Sequence, residues 1–221
     1  MKEQVFKGTL AAILGTATAL TALPAVAYNA GDLVFRAGLA GVLPTGDGTH
    51  PAAPGPNIEA DDGYSLGLTG TWMATNNIGV GLLAAWPFEH DIETKGGLAG
   101  TGDAGNIKQL PPTVTLQYHF DTASNFHPYV GLGVNYTYFF DEDTSGAIND
   151  AGLDLDDSWG LAGEIGVDYE LQNDWLVGAA VWYIDIETDA TVSGSATAAL
   201  NQSFNVDIDP WVFMLSVGKK F

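Results

Sequence analysis

The sequence predicts an all-β chain: an eight-stranded antiparallel transmembrane β-barrel with short periplasmic turns and long extracellular loops. Three observations predict it. Eight segments alternate or run apolar for about ten residues each, the length at which a tilted strand crosses a bilayer. The connections between them are short and long in turn. The closing stretch, DPWVFMLSVGKKF, keeps its alternation to the last residue, Phe221, whereas the end of a soluble domain is ordinarily frayed and polar.

The chain opens on MKEQVFKGTLAAILGTATALTALPAVA. Lys2 and Lys7 precede a small, apolar, uncharged run over 9–23, and Ala25-Val26-Ala27 has the small-x-small form of a cleavage site. The apolar run is shorter than the roughly 20 residues a membrane helix needs. Residues 1–27 therefore read as a signal peptide, and 28–221 as one barrel.

The eight segments are 32–43, 64–73, 78–88, 113–120, 128–140, 159–171, 175–186 and 211–221. None carries a 3.6-residue stripe, and several show the period of two that marks a strand. In the fourth, Val114, Leu116, Tyr118 and Phe120 face away from Thr113, Thr115, Gln117 and His119. In the sixth, Trp159, Leu161, Ile165, Val167, Tyr169 and Leu171 oppose Gly160, Ala162, Glu164, Gly166, Asp168 and Glu170. In the third, Ile78, Val80, Leu82, Ala84, Trp86 and Phe88 form the fuller face, so Gly79, Gly81, Leu83 and Ala85 point inward. The seventh is apolar on both faces. Its fuller side is Trp175, Val177, Ala179, Val181 and Tyr183, which leaves Leu176, Gly178, Ala180, Trp182 and Ile184 inside. The last puts Trp211, Phe213, Leu215, Val217 and Phe221 on lipid, with Lys219 reaching toward water at the periplasmic rim.

Three connections are short (74–77, 121–127, 172–174) and four are long (44–63, 89–112, 141–158, 187–210). This places both termini at the short-turn end. The long loops carry no predicted secondary structure. Aromatics collect in two belts. Trp72, Phe126, Tyr129, Trp175 and Phe221 fall near the short turns. Trp86, Phe88, Phe139, Phe140, Trp159, Tyr183 and Trp211 fall near the long loops. Closure has a physical cause. Hydrocarbon offers no water to backbone N–H and C=O groups, so only a helix or a closed sheet satisfies them all.

Composition narrows the function. There are no cysteines and the net charge is −20. Without residues 1–27 the chain holds 5 basic and 26 acidic residues. That excludes a nucleic-acid footprint and unaided docking on anionic lipid. Twenty of the 26 acids lie at the long-loop end, a solvated acidic face or a set of sites for divalent cations bridging to lipopolysaccharide phosphates. His50, His90, His119 and His127 are scattered, without a nucleophile–histidine–acid arrangement, so neither enzyme activity nor a cofactor is expected. In DEDTSGAINDAG, Asp141 and Asp143 match the first and third places of a calcium loop. The twelfth place is Gly152 where a bidentate Glu is required, so these two are only a weak metal candidate.

By alternation the lumenal charges are Arg36, Glu164 and Asp168, and an Arg36–carboxylate pair near the periplasmic mouth is expected because an unpaired interior charge is costly. Pro44, Pro87, Pro111, Pro112 and Pro210 all fall at the long-loop ends of strands. Proline cannot donate to a ladder, so gaps in the outer wall and a sideways exit into the bilayer are expected there.

The segments WMATNNIGVGLLAAWPFEHDI, LPPTVTLQYHF, PYVGLGVNYTYFF, DSWGLAGEIGVDYELQNDWLV, VWYIDIET and DPWVFMLSVGKKF resemble the OmpW family of small bacterial outer-membrane proteins, in order and across nearly all of 28–221. The resemblance implies a narrow hydrophobic lumen, constricted at Leu83 and Trp182, and passive uptake of small hydrophobic molecules. It implies outer-membrane lipid and lipopolysaccharide as surroundings. Phe221 has the terminal position that barrel-assembly machinery recognises. The alternative is a closed structural barrel whose acidic loops serve as an adhesion or receptor surface for bacteriocin or phage. The family commonly has an aromatic before the basic residue where this chain has GKKF.

Overall fold

The computed structural model describes residues 28–48, 58–94, 103–145, 151–194 and 201–221. The signal-peptide segment 1–27 and His50 lie outside them. The described strands are β1 (Leu33–Leu43), β2 (Ile58–Ala60), β3 (Gly63–Met73), β4 (Ile78–Ala85), β5 (Phe88–Thr94), β6 (Asp103–Leu110), β7 (Thr113–His119), β8 (Phe126–Thr144), β9 (Gly152–Leu155), β10 (Ser158–Glu170), β11 (Trp175–Ile184), β12 (Glu187–Ser193), β13 (Ser203–Asp207) and β14 (Trp211–Lys220). A 3₁₀ turn at Gln172–Asp174 joins β10 to β11.

Eight of these close into a barrel in the order β1-β3-β4-β7-β8-β10-β11-β14, every pair antiparallel. The seam is β1 against β14, in register from Val34↔Lys220 to Leu43↔Trp211. Beyond it, Leu33 N donates to the Phe221 carbonyl at 3.0 Å and Phe221 N to the Leu33 carbonyl at 2.8 Å. The terminal residue is thus a paired strand residue. Its alternation persists because pairing persists.

The outward face is a continuous apolar band. Leu132 is 76% exposed and Leu215 71%, with Leu39, Leu66, Leu116, Leu161 and Ile165 also well exposed between them. So much contiguous apolar surface is foreign to a soluble monomer and is the lipid belt of a barrel. The inward face is built from small and polar residues. Gly38 lies so close to the Leu215 carbonyl across the seam that a Cβ there would overlap it.

Beyond the membrane rim the sheet continues. β8 runs 19 residues and carries β6, β5 and β2 upward beside it. A second small sheet, β13-β12-β9, covers the other side. Among the described residues the long loops are therefore largely β-structure, contrary to the sequence expectation. The pattern was present, since Thr188, Ala190 and Val192 are buried while Glu187, Asp189 and Thr191 are exposed. Acidic outward residues disguised it as loop. These strands enclose an apolar cavity of about 60 Å³ lined by Ile92, Ile107, Leu155, Val192, Phe204 and Ile208, among others.

Three aromatics face the other way from the sequence expectation. Phe88 is buried while Trp86 points outward, because β4 ends at Ala85 and a new strand begins at Phe88. Pro87 interrupts the ladder between them, and the alternation resets. Tyr129 and Phe139 also point inward, both buried. Tyr129 fits because Gly166 beside its ring has no side chain to oppose it.

Within the extension, His90 Nδ1 sits 2.6 Å from the Asp61 carbonyl, and His90 Nε2 sits 2.9 Å from Gln109 Nε2. Burial holds the imidazole below its ordinary pKa despite the neighbouring Asp62, Asp61 and Asp91. The unfolded ring takes up a proton at about pH 6.5 and the folded ring resists it, so the unfolded form binds more protons as pH falls. The stabilisation is complete above that pH and fades below it. Hydrogen exchange of β5 and β6, corrected for intrinsic rate, is expected to be faster near pH 5.5 than near pH 7.5, and His90→Gln should remove the difference. At the seam, Gly38→Val should abolish the folded, heat-modifiable gel band. Gly163→Ala, with nothing within 4 Å of the added carbon, should leave it unchanged.

Candidate functional site: the layered lumen and the wall beside it

The lumen is layered. At the periplasmic end Tyr28, Val34, Met73 and Leu176 form a small buried apolar cluster. Above it stands a polar layer. Arg36, from β1, donates through Nε to Asp168 Oδ1 at 2.9 Å and through its second terminal nitrogen to Asp168 Oδ2. Its remaining terminal nitrogen donates to Thr71 Oγ1 at 3.1 Å. The Tyr28 hydroxyl donates to Asp168 Oδ2 at 2.7 Å. Both ionic side chains are essentially removed from solvent, so pairing is what makes either charge tolerable. The guanidinium also lies 5.5 Å from the Tyr129 ring centre.

The layer continues around the wall. Thr71 Oγ1 donates to Gln117 Oε1 at 3.1 Å, and Gln117 Nε2 donates to Glu164 Oε2 at 2.9 Å. Thr115 Oγ1 donates to the same Glu164 oxygen at 2.8 Å. Nearer the periplasmic rim, Glu170 joins His127 and Lys220, each at 3.1 Å. Hydrogen-bonded groups from β1, β3, β7 and β10 thus meet inside a bore that, in an eight-stranded barrel, is just wide enough for side chains.

Trp182 is the joint between layers. Its indole, whose only polar atom is a donor, stands across the β10–β11 ladder from Glu164. Its ring belongs to the apolar cluster that holds Ala40, Leu83, Ala180 and Met214. Leu83 and Trp182 are thus both lumenal, buried to 5% and 2% exposure. The cluster runs on into the outer cavity through Phe88, Phe139, Ile92 and Ile107.

An eight-stranded barrel with this layered interior can be set against known proteins. The OmpW family model matches residues 29–221. The chain belongs to the OmpW family. Outer membrane protein W of Vibrio cholerae is 46% identical over 213 residues, covering 94% of this chain and 97% of the relative. The crystal structure of the outer-membrane protein OprG from Pseudomonas aeruginosa superposes with TM-score 0.79 at 44% identity, covering 88% of this chain and 97% of OprG. The solid-state NMR structure of AlkL in DMPC lipid bilayers gives TM-score 0.66 at 25% identity, covering 94% and 96%. This OmpW-family chain is therefore an outer-membrane barrel, and its family is not one of enzymes.

The prolines separate into two groups. Pro44 and Pro210 flank the seam, where bonding continues. Thr45 N donates to the Ile208 carbonyl at 3.0 Å, and Ile184 N to the Pro210 carbonyl at 3.2 Å. Pro87, Pro111 and Pro112 flank a break. The β4–β7 ladder ends at Leu83↔Thr113 and pairing resumes at Phe88↔Gln109 between β5 and β6. Between these rungs, residues 84–87 and 110–112 share no registered pair among the described residues. The Trp86 side of the break stays tied to β3, through Trp86 N to the Leu66 carbonyl at 2.9 Å and Ser65 Oγ to the Trp86 carbonyl at 2.8 Å.

Asp141 accepts a 3.1 Å hydrogen bond from Lys108, and among the described residues no three His, Cys, Asp or Glu side chains group as metal ligands. The sequence reading passed over Tyr28, Thr71, Thr115, Gln117 and Tyr129. The polar run Thr113, Thr115, Gln117 and His119 on one face of β7 was the available signal, since four polar side chains on a lumenal face need partners.

Removing one member of the buried pair exposes the other. Asp168→Asn is expected to destabilise the barrel by about 3–5 kcal/mol in urea unfolding from lipid vesicles. The double variant Arg36→Met with Asp168→Leu should lose clearly less than the sum of the single losses.

Proposed function

We propose that this barrel admits small apolar molecules from outside, holds them above Trp182, and releases them sideways into the outer membrane through the break beside Pro87, Pro111 and Pro112. One observation carries the reading: a buried, hydrogen-bonded polar layer below the apolar section, next to a stretch of wall where β4–β5 and β6–β7 share no registered pair. An apolar solute descending past Leu83 meets the Arg36–Asp168–Glu164 network, where entry would displace hydrogen bonds it cannot replace. The bilayer beside residues 84–87 offers hydrocarbon instead. No energy source is needed, because the solute moves down its own gradient into lipid. Lipopolysaccharide and outer-membrane lipid form the surroundings of the apolar band. Phe221, its backbone paired with Leu33, serves as the terminal signal for assembly.

The deciding experiment is uptake of nonane by cells or lipopolysaccharide-containing vesicles with and without the protein. Ala85→Trp, which fills the break from the inside, should cut protein-dependent uptake at least fivefold. Gln117→Leu, in the polar layer, should leave it within twofold wherever the variant folds. The opposite pattern would show that the solute travels through the base. Uptake indifferent to Ala85→Trp, with bacteriocin or phage binding lost on shortening the acidic extension, would replace transport by the receptor reading.

A further inference from the structure

The outer extension holds a polar atom that the rest of the described chain leaves unsatisfied, on the apolar side of Trp182. We infer that Gln109 Oε1 is a recognition point for solutes that carry a single hydroxyl or N–H donor on an apolar body. The inference rests on the uptake reading above and narrows its substrate class.

Gln109 lies on β6, 1% exposed, across from Phe88 on β5 and Phe139 on β8. Both phenyl side chains are buried, so the amide is set among apolar walls. Its orientation follows from its neighbour. A backbone carbonyl only accepts, so the 2.6 Å contact with the Asp61 carbonyl requires a proton on His90 Nδ1. In the neutral ring His90 Nε2 is then an acceptor, and Gln109 Nε2 must be the group that donates to it at 2.9 Å. Burial favours that neutral ring. The amide cannot turn over without facing two acceptors at one another. Its carbonyl oxygen is left buried and without a partner among the described residues.

Neighbouring polar groups are paired. Asn135 Nδ2 donates to Thr113 Oγ1 at 2.9 Å, and Thr137 Oγ1 donates to Asn135 Oδ1 at 2.7 Å. The free acceptor is therefore local to Gln109. Two rungs outward, on the same face, Ile107 pairs with His90 and lines the apolar cavity. On the rung of Gln109 itself, Phe88 stands at the wall break. On the uptake reading, a solute that reaches the break passes Phe88, the cross-strand partner of Gln109. A molecule that can donate one hydrogen bond gains there, and one that can only accept does not.

The test uses two isomers of equal size. 1-Octanol donates; heptyl methyl ether only accepts. Protein-dependent uptake of each is measured in lipopolysaccharide-containing vesicles, after subtracting protein-free vesicles, for the wild type and Gln109→Met. The wild type is expected to favour the alcohol by about three- to tenfold, the range of one net hydrogen bond. Gln109→Met should bring the two rates together while retaining ether uptake. If wild-type protein carries both isomers equally, or if Gln109→Met keeps the preference, the inference is wrong and uptake itself stands. If the protein carries neither isomer nor nonane, the uptake reading falls and this inference with it. Should Gln109→Met fail to assemble, side-chain amide NMR of the wild type decides. 1-Octanol must shift the Gln109 amide resonances and the ether must not, and equal shifts would overturn the assignment.

Discussion

The structure depends on the pairing of its first and last strands. In hydrocarbon an unpaired backbone amide has no substitute partner, so an open eight-stranded sheet would leave two edges unsatisfied. β1 and β14 remove both edges along a seam that reaches the C-terminal residue. Closure then fixes the remaining choices. Alternate residues must face lipid or one another across a narrow bore, and glycine is required where strands come as close as Gly38 comes to Leu215.

The bore is divided by chemistry. Around the Arg36–Asp168 pair each charged or amide group finds a partner on another strand, so the layer crosslinks β1, β3, β7 and β10. A layer of this kind is rigid because losing one member strands the others in a medium of low polarity. Above it the interior turns apolar at Trp182, which pairs across the ladder with Glu164 and belongs to the apolar cluster. The transition takes place within one side chain. In the proposed uptake an apolar molecule is accommodated on one side of that ring and excluded on the other. The wall break lies on the apolar side, so a closed seam is compatible with the proposed sideways release.

Much of this was legible in the sequence. Eight strands, their order, the lumenal places of Arg36, Glu164 and Asp168, and the inward turn of Leu83 all follow from a period of two. The period held because each barrel strand separates hydrocarbon from a small, polar interior. It failed where that contrast fails. Phe88 was misplaced because Pro87 resets the alternation, a change of strand that a run of apolar letters does not display. Tyr129 was read as an interfacial ring, since nothing in its own strand shows that Gly166 leaves it room inside. The sheet of β9, β12 and β13 was hidden by acidic outward residues, although its inward residues alternate as well as those of the barrel. Gln109 could not be found from pattern at all. Its significance lies in the direction of one carbonyl, fixed by a histidine nineteen residues away in sequence and by that histidine's own partner.

The account makes one claim above the others: the lumen ends at the polar layer, and apolar solutes leave through the wall. Photolabelling with a diazirine-bearing alkane in outer-membrane vesicles addresses it directly, read by mass spectrometry at inward-facing residues. Labelling should appear at Leu83, Phe88 and Ala85 and be missing from Val34, Met73 and Leu176 beneath the layer. Label in that lower cluster at a yield comparable to Leu83 would mean that the solute passes through the base, and the account would be contradicted.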